Sequence, residues 1–299
     1  MKISVVMPCH NNGAVLEHAL DSVAAQAYAA HELIVVDDAS SDDSADRAGR
    51  HPAVTCVIRA NYRNAAAARN EGIARATGDW IAFLDADNRW HTDHLSRAAA
   101  LLAGGTDCLF VAPPLASGRP MERTEKREGC PAIDDVTGLT QEAFVQWRLR
   151  RGWGFPTSGL VALRHRLTEV GGFNVEQHRR HDFELVMRLI VGHTWCATPW
   201  ATWWSRPPRG NDISADGPRC AYFALRALTL NRGAYHGKAY DRLLRQEARK
   251  AWAMALRSGN ADLLRDAASL AKPYLPLFER TVFGIMNLVP KRLRHRWGY

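Results

Sequence analysis

Residues 1–38 decide the fold and read MKISVVMPCHNNGAVLEHALDSVAAQAYAAHELIVVDD. Two short apolar runs, Ile3–Met7 and Leu33–Val36, lie near the two ends of this stretch. Five apolar residues between them recur at the spacing of a helix: Val15, Leu16, Ala19, Leu20 and Val23. A strand, a helix and a second strand in this order predict two parallel strands joined by a crossover helix.

The same alternation continues over the first hundred residues. Two further apolar runs, Thr55–Ile58 and Trp80–Leu84, are separated by Ala65–Ala76, which is rich in strong helix formers. Beyond Gly217 the strand signals end, and the apolar residues keep helical spacing. We therefore predict an α/β fold with a mostly parallel central sheet flanked by helices, followed by a C-terminal helical region.

The composition is that of an ordinary globular protein. The chain has 299 residues, of which 46% are hydrophobic and 23% are charged, so it is long enough to bury a large core. No uncharged segment reaches the roughly 20 apolar residues of a membrane-spanning helix, and the first residues form a poor signal peptide. The six cysteines form no C-x-x-C pair. We therefore expect reduced thiols and a cytoplasmic location.

The excess basic charge is concentrated at the C-terminal end. The formal net charge is +8, and residues 238–299 carry 13 basic and 5 acidic side chains. Six apolar residues there recur at helical spacing: Phe278, Val282, Ile285, Met286, Val289 and Leu293. With the cationic segment Lys291–Trp297, this pattern is typical of a helix on anionic lipid, which predicts peripheral attachment to the inner face of the cell membrane. An amphipathic helix packed on the rest of the protein is an equal alternative, and no nucleic-acid partner is expected because no motif for one is present.

Polar residues follow three of the predicted strands, at the point where each strand ends. These segments are Pro8–Gly13, Asp37–Asp42 and Asp85–Asn88. Ligands of open α/β sheets bind outside the carboxyl ends of the strands. We therefore expect the three loops to lie at one edge of the sheet and to form one site.

The carboxylates of these loops suit a nucleotide and a cation. Asp85 and Asp87 lie two residues apart after a buried strand, so in an extended backbone both point the same way and can hold a divalent cation completed by phosphate oxygens and water. A solvated turn is the alternative, because Asp and Asn are common turn residues. Asp37 and Asp38 can accept hydrogen bonds from a nucleobase imide or a ribose hydroxyl. Capping of the next helix is the alternative use of that loop.

Five ordered parts of the sequence resemble the family 2 glycosyltransferases, whose GT-A fold is a nucleotide-binding α/β domain. They are Ser4–Asn11, Glu32–Ser40, Ala68–Ile73, Thr77–Asp87, and Gly171–Asn174 with His181–Leu185. One such part is unspecific, whereas five in this order are specific. The resemblance implies a GT-A domain over residues 1–215, with a nucleotide-binding part at about 1–112 and an acceptor part at about 136–215. Residues 216–299 are then a basic helical region.

The resemblance also implies roles for individual residues. Five of them match positions that bind the donor nucleotide, usually uridine: Pro8, His10, Asp37, Asp38 and Arg69. Asp85 and Asp87 match the metal-binding pair, and Asp182 matches the acidic residue that serves as catalytic base. Without the resemblance, Asp182 is an ordinary carboxylate in the first turn of a helix.

The chain departs from the family pattern at three places, one of which is Asn64, where a glycine is common. His181 stands where many members carry Glu, and the stretch Arg206–Ser214 lacks a histidine that members often carry after the base. If that histidine helps to hold the cation in relatives, this protein must use water, Asn211 or Asp212 instead, or bind the metal more weakly. We expect His181 and Trp153, a tryptophan among glycines, to contact the acceptor.

The resemblance implies a divalent-metal-dependent, inverting glycosyltransferase. It would move a single sugar from a nucleotide-sugar donor, UDP-linked, to a hydroxyl acceptor such as a lipid-linked glycan, in glycan, glycolipid or cell-envelope polysaccharide biosynthesis. The expected cofactor is Mn²⁺ or Mg²⁺. Two alternatives stay open: a non-catalytic nucleotide-sugar-binding module of the same fold, and a sugar-phosphate nucleotidyltransferase. The latter is disfavoured because the loop after the first strand has one glycine and no Lys or Arg.

Overall fold

Strands and helices alternate through the first part of the chain. The structure is a computed structural model that describes residues 1–104, 108–115, 125–126, 136–151, 155–205 and 216–288. Its first ten elements are β1 (Ile3–Cys9), α1 (Leu16–Ala24), β2 (Glu32–Asp38), α2 (Ser44–Arg50), β3 (Cys56–Ala60), α3 (Ala65–Arg75), β4 (Trp80–Phe83), β5 (Asn88–Trp90), α4 (His94–Ala103) and β6 (Leu109–Val111). The predicted order of strand and helix over this region is confirmed.

The second part of the chain has shorter strands and then helices. These elements are β7 (Pro114–Leu115), β8 (Glu125–Lys126), β9 (Val136–Leu139), α5 (Gln141–Arg151), a 3₁₀ turn (Thr157–Gly159), β10 (Leu160–Leu163), α6 (Arg164–Glu169), α7 (His181–Leu189), β11 (Trp195–Ala197), β12 (Trp200–Ala201), β13 (Trp203–Ser205), α8 (Gly217–Leu230), α9 (Lys238–Ser258), α10 (Ala261–Ala271), a 3₁₀ turn (Lys272–Tyr274) and α11 (Leu277–Leu288). Between residues 216 and 288 all of these elements are helical. The predicted C-terminal helical region is therefore present.

An eight-stranded sheet forms the centre of the fold, in the order β3-β2-β1-β4-β10-β6-β11-β9. Strands β3, β2, β1 and β4 are parallel to one another. Strand β10 runs antiparallel between β4 and β6, and β9 runs antiparallel beside β11. The sheet is thus mostly parallel, as predicted, with antiparallel strands that the sequence pattern did not indicate.

The first strands are continuous apolar runs because both faces of the sheet are covered. In β1, Ile3, Val5, Val6 and Met7 are all buried. Helix α1 packs on one face through four of the five residues that predicted it: Leu16, Ala19, Leu20 and Val23. Parallel strands covered on both faces lack the alternation of half-exposed strands.

The aromatic residues of the middle part of the chain belong mainly to the core. Trp147 and Trp195 are buried beside Phe144 and Phe155, with ring centroids of Trp147 and Trp195 5.5 Å apart. Trp203 is also buried, and its Nε1 donates to the carbonyl of Ala112 at 3.0 Å. These tryptophans are therefore occupied in packing.

The chain divides into two compact units. The first contains residues 1–176 and 185–207, and the second contains residues 177–184 and 208–299. Helix α7 begins in the second unit and ends in the first. The domain boundary near Asp216 stays a prediction.

The second unit has an apolar interior built from α8, α9, α10 and α11. Tyr240 of α9 donates its hydroxyl to the carbonyl of Leu228 of α8 at 2.5 Å. Trp252 of α9 stacks on Phe283 of α11 with ring centroids 4.9 Å apart. Across the described ranges, no helix is both long and apolar enough to cross a bilayer.

Candidate active site

The sheet reverses its order of strands at β1, which pairs in parallel with β2 on one side and with β4 on the other. The chain moves outward from β1 to β2 and β3 and then returns to β4 on the opposite side. In open α/β sheets, ligands bind at such a point, in the crevice outside the carboxyl ends of the strands. The predicted loops after β1, β2 and β4 all lie at this edge.

Hydrogen bonds join the loop after β1 to the loop after β2. The amide of Asn11 donates to Ser40 Oγ at 2.9 Å, and Asn11 Oδ1 accepts from the amide of Ser41 at 2.8 Å. Asp42 accepts from the amides of Gly13 at 3.0 Å and Ser44 at 3.1 Å. Although desolvation opposes the effect, hydrogen bonds from Ser44 and Gly13 hold the pKa of Asp42 below its ordinary value. The predicted capping use of this loop is therefore realised by Asp42 at the start of α2.

His10 is oriented by the backbone of β2. Its Nδ1 lies 2.6 Å from the carbonyl oxygen of Asp38. Because a carbonyl oxygen only accepts, Nδ1 carries the proton, and Nε2 accepts from the side-chain amide of Asn11 at 3.2 Å. The ring is exposed at the edge of the sheet, next to half-buried Pro8. Contact of Pro8 and His10 with a nucleotide stays a prediction.

Asp38 is committed to the loop that precedes α3. One carboxylate oxygen accepts from the amides of Tyr62 at 2.6 Å and Arg63 at 2.8 Å. The other oxygen accepts from the amide of Asn64 at 2.7 Å. The residue is only 4% exposed, so its described partners are three backbone donors rather than solvent. Asp38 therefore anchors this loop, whatever else it binds.

Asp37 has a different environment from its neighbour. It is also 4% exposed, yet its Oδ1 is buried without a hydrogen-bond partner. Buried carboxylate oxygens are nearly always paired, and the described residues supply no donor to this atom. Asp37 also lies near the thiol of Cys9. Burial raises the pKa of this thiol to about 12, and the charge of Asp37 makes a smaller contribution in the same direction. Cys9 is therefore an unreactive thiol at neutral pH.

The same edge contains left-handed backbone at residues other than glycine. Asn11, Ala39 and Arg63 have φ values of 52°, 60° and 50°, and each lies in the loop after one of the first three strands. Such residues raise the energy of the backbone and cluster at functional sites. This strain marks the edge independently of its carboxylates.

Asp85 and Asp87 lie in a tight turn rather than in extended backbone. The amide of Asn88 donates to the carbonyl of Asp85 at 2.9 Å, and Ala86 between the two aspartates is buried. Both aspartates are half-buried. The predicted pair is thus presented at the carboxyl end of β4 by a turn.

Ser158 supports this turn, and sequence reasoning missed it. Its buried hydroxyl oxygen accepts from the amide of Asp85 at 3.1 Å and from the side chain of Asn88 at 2.8 Å. The next residue, Gly159, must be a glycine because a Cβ there would lie 2.1 Å from the carbonyl oxygen of Ala112. The small pair between Pro156 and the strand at Leu160–Leu163 was the available signal.

Arg69 reaches the same turn from α3. Its Nη2 lies 2.5 Å from Asp85 Oδ1, and its guanidinium lies 5.5 Å from the ring centroid of Phe173. The arginine side chain is 5% exposed and the aspartate side chain is 34% exposed. The structure therefore places Arg69 beside the predicted metal pair, while its contact with the donor stays a prediction.

The donor set of this turn fits a cation that substrate helps to hold. In the described part of the chain, no three His, Cys, Asp or Glu side chains come together as a ligand set. The two half-buried carboxylates are hard oxygen ligands. Mg²⁺ commonly takes one or two protein carboxylates and completes its coordination with phosphate oxygens and water. Asp85 and Asp87 suit that arrangement.

Helix α3 also holds the glycine-containing segment after α6. Asn70 accepts from the amide of Phe173 at 2.7 Å and donates to its carbonyl at 2.8 Å. Gly172 has a φ of +68°, and a Cβ there would lie 2.4 Å from the Asn70 oxygen. Asn64 donates to the carbonyl of Val175 at 2.9 Å. Two of the segments that carry the family resemblance therefore contact each other.

Asp182 and His181 lie in the second unit, at the start of α7. Both are half-buried, and Asp182 Oδ1 accepts from the amide of Phe183 at 2.8 Å. Arg180, directly before the helix, has left-handed backbone with a φ of 57°. Cys220 lies near these residues, and burial raises the pKa of its thiol. The positive charges of Arg180 and Arg179 oppose this increase. Convergence of Asp182 with the carboxylates of the first unit stays a prediction.

Three parts of the sequence that carry predictions fall outside the described residues. Two are Trp153, the expected acceptor contact, and the stretch Arg206–Ser214 with Asn211 and Asp212. The third is the cationic segment Lys291–Trp297. The predictions for these residues stay predictions.

The chain is similar to bacterial enzymes of polysaccharide assembly. It is 36% identical over 121 residues to the amylovoran biosynthesis glycosyltransferase AmsB of Erwinia amylovora, covering 37% of this chain and 40% of the relative. It is 32% identical over 102 residues to WfgD of Escherichia coli, a UDP-Glc:alpha-D-GlcNAc-diphosphoundecaprenol beta-1,3-glucosyltransferase, covering 33% and 40%. The match thus spans about 40% of the length of these curated relatives.

The fold is that of a solved GT-A protein, and a family model matches the chain. The crystal structure of residues 1–349 of S. aureus TarS superposes with a TM-score of 0.72 at 16% identity, covering 100% of this chain and 92% of that one. The model for glycosyl transferase family 2 matches residues 4–161. This match covers more than half of the sequence, so the chain belongs to glycosyl transferase family 2.

Proposed function

We propose that this protein is an inverting glycosyltransferase that transfers one sugar from a UDP-linked donor to a hydroxyl group. The observation that carries the proposal is the set of carboxylates at the edge where the sheet reverses its order of strands. One side offers the unpartnered carboxylate oxygen of Asp37, and the other offers Asp85 and Asp87. A nucleoside diphosphate has N–H and O–H donors for the first and phosphate oxygens for a cation at the second. Family membership and the UDP-glucose in the name of the E. coli relative support this donor class.

The donor nucleoside would lie against the loops after β1 and β2. Asp37 Oδ1 would accept a hydrogen bond from the nucleobase imide or a ribose hydroxyl, which would satisfy a buried oxygen. Pro8 and His10 would line the base, with the imidazole held in place by the carbonyl of Asp38. Asp38 would act mainly through the loop that it anchors.

Asp85 and Asp87 would hold Mn²⁺ or Mg²⁺ at the diphosphate. When bound, the cation supplies positive charge that stabilises the departing diphosphate. Ser158 holds the turn through its hydrogen bonds to Asp85 and Asn88, so the carboxylates need little rearrangement to bind.

Asp182 would accept the proton of the acceptor hydroxyl. It lies in the first turn of α7. A carboxylate that removes this proton allows the hydroxyl to attack opposite the leaving diphosphate, which inverts the anomeric carbon. His181 and Trp153 would contact the acceptor.

The test compares Asp182→Asn with wild type in donor binding and in transfer. We expect the variant to bind UDP with Mn²⁺ as wild type does, and to lose transfer or donor hydrolysis by about 100-fold or more. Asp262→Asn is the matched control, because Asp262 is an exposed aspartate of α10 that pairs with Arg265. Equal turnover by the Asp182 variant would contradict the assignment of the base.

The wild type itself separates the alternatives. Nucleotide-sugar binding without turnover over a panel of donors and acceptors indicates a non-catalytic module. Failure of every nucleotide to shift the melting temperature, with or without Mn²⁺, overturns the proposal.

We further propose a lipid-linked acceptor and a peripheral position on an anionic membrane. The apolar stripe of α11 is defined as Leu277, Phe278, Thr281, Gly284 and Ile285, all exposed and all uncharged. Its three large side chains are 76%, 78% and 58% exposed, whereas Phe283 and Met286 on the other side of the helix are buried. An exposed apolar face of this kind marks an interaction surface.

Charge favours anionic lipid as the occupant of this stripe. Residues 238–299 carry 13 basic and 5 acidic side chains, and Lys291–Trp297 follows the helix directly. Apolar contact with acyl chains and basic contact with headgroups reinforce each other at a membrane surface. The E. coli relative is named for an acceptor on diphosphoundecaprenol, which is a lipid. Attachment would bring the enzyme to an acceptor of that class.

A further inference from the structure

Arg69 occupies the carboxylate that the proposed cation requires. Its Nη2 lies 2.5 Å from Asp85 Oδ1, which is an ion pair and a charge-assisted hydrogen bond. The guanidinium is almost completely buried, whereas Asp85 keeps about a third of its side-chain surface exposed. Asp85 is therefore open to ligands on one side and neutralised from the other.

The position of this guanidinium is determined by α3 and not by Asp85 alone. The side chain also contacts the carbonyl of Ala65 at 3.3 Å and lies over the ring of Phe173. Phe173 is itself held by two hydrogen bonds with Asn70, one donated and one accepted by the Asn70 side chain. A side chain restrained on several sides cannot move far when a second cation approaches.

We infer that Arg69 is a built-in competitor for the cation at Asp85 and that it couples cation binding to the arrival of the donor diphosphate. A cation at Asp85 without donor must share the carboxylate with a guanidinium and is repelled by it. A diphosphate brings oxygens that can neutralise both positive groups, so cation and donor each strengthen the binding of the other. This inference rests on the proposed function for the identity of the donor, but not for the effect of Arg69 on the cation alone.

The opposite role predicts the opposite sign. If Arg69 only positions Asp85 for the cation, then loss of the guanidinium weakens cation binding. If Arg69 competes, its loss strengthens binding in the absence of nucleotide. The direction of one measured change therefore distinguishes a competitor from a support.

The experiment measures Mn²⁺ binding to the full chain by electron paramagnetic resonance of free Mn²⁺, without nucleotide and with saturating UDP. For wild type we expect weak binding alone and binding at least about tenfold tighter with UDP. For Arg69→Met we expect binding alone to tighten about tenfold and the UDP effect to shrink accordingly. Arg97→Gln is the control, because it also removes one guanidinium that is paired with an aspartate, Asp93. That variant should behave as wild type.

Each other outcome overturns the inference. Weaker or unchanged Mn²⁺ binding by Arg69→Met, with the melting temperature of a folded protein, shows that Arg69 does not compete. Arg69→Lys keeps the positive charge and is the variant to measure if Arg69→Met fails to fold. If Arg69 competes through its charge, the Lys variant should bind Mn²⁺ weakly without nucleotide and more tightly with UDP. If UDP binds the wild type but does not change its Mn²⁺ binding, the inference is also overturned. If UDP binds no variant, the proposed function fails, yet the comparison of Mn²⁺ binding without nucleotide still decides the role of Arg69.

Discussion

Two adjacent carboxylates show how much a single residue position decides. Asp37 and Asp38 follow each other at the end of β2, and successive side chains of a strand point to opposite faces of a sheet. Asp38 faces the loop before α3 and accepts three backbone hydrogen bonds. Asp37 faces the region of Cys9 and retains an oxygen without a partner. The same residue type thus serves structure at one position and is available to a ligand at the next.

Asp37→Asn and Asp38→Asn should therefore have different consequences. We expect Asp37→Asn to weaken UDP binding about tenfold to 100-fold through loss of a charge-assisted acceptor, with little loss of stability. We expect Asp38→Asn to lower the free energy of unfolding by about 2–3 kcal/mol, because its new N–H₂ group faces a backbone donor. Isothermal titration with UDP and urea denaturation measure the two effects. Equal loss of stability in both variants would show that the unpaired oxygen of Asp37 has a structural partner.

Helix α3 is the element that connects the parts of the candidate site in the first unit. Its start is held by Asp38, its Arg69 reaches Asp85, and its Asn70 holds Phe173. Asn64 caps the helix by accepting from the amides of Ala66 at 2.9 Å and of Ala67 at 3.2 Å. We expect a substitution at this cap to disturb every loop that the helix orients.

Asn64→Ala should lower the free energy of unfolding by about 1–2 kcal/mol, since the cap and the bond to Val175 are both lost. Asn64→Asp is the matched control, because aspartate caps equally well and lacks only the donor to Val175. We expect it to recover about 1 kcal/mol of this loss in urea denaturation. A control variant as unstable as the alanine variant would show that the contact with Val175, and not the cap, stabilises the helix.

Helix α11 is the element through which we expect membrane attachment. Phe278→Ser with Ile285→Ser should reduce sedimentation with vesicles containing phosphatidylglycerol by about tenfold or more, because two exposed apolar side chains are lost. Leu230→Ser is the control, since Leu230 is an exposed apolar residue of α8 in the same unit. Vesicles of phosphatidylcholine alone should bind weakly, and added salt should weaken binding.

Other occupants of the stripe predict other results. If vesicle binding does not depend on the charge of the lipid, or if the double variant binds vesicles as wild type does, the proposed surface is contradicted. A wild-type dimer in sedimentation equilibrium that the double variant abolishes would show that a second copy of the chain covers the stripe.

At the scale of the whole molecule, one buried histidine links stability to pH. His94 is buried in the first unit, stacked on Trp90 with ring centroids 4.5 Å apart. Its Nδ1 contacts Thr202 Oγ1 at 2.6 Å, and its Nε2 is buried without a hydrogen-bond partner among the described residues. Burial lowers the pKa of this imidazole to about 3, with the charge of Asp93 opposing the effect. The folded protein therefore excludes a proton that the unfolded chain binds near pH 6.5.

The free energy of unfolding should fall as the pH is lowered from 6.5 towards 3. Because the unfolded state binds more protons in this window, the loss approaches about 1.4 kcal/mol per pH unit, or about 2 kcal/mol between pH 8 and pH 5. His94→Gln should be less stable at pH 8 but should lack this pH-dependent loss. His18→Gln, at an exposed histidine, should retain it. Urea denaturation at pH 8, 6.5 and 5 measures the difference, and an equal loss in both variants would contradict the assignment.

The positions of helices and strands could be predicted because they follow from local patterns. The segment Ala65–Ala76 became α3, and the run Trp80–Leu84 became β4, each one residue shorter than predicted. The direction and neighbours of β10 could not be predicted, because a four-residue apolar run has the same pattern in either direction. The support of the turn at Asp85–Asn88 by Ser158 could not be predicted either, since Ser158 is 70 residues away from Asn88 in the sequence.

The amino-acid sequence by itself determined the α/β class, the family and the carboxylates at the strand ends, because these depend on residue type and spacing along the chain. Only the tertiary structure decided that Asp38 anchors a loop, that Asp37 keeps an unpaired oxygen, and that Arg69 faces Asp85. The physical reason is that hydrogen bonding, desolvation and ion pairing act between atoms within a few ångströms. Folding brings those atoms together from segments that no local pattern relates to one another.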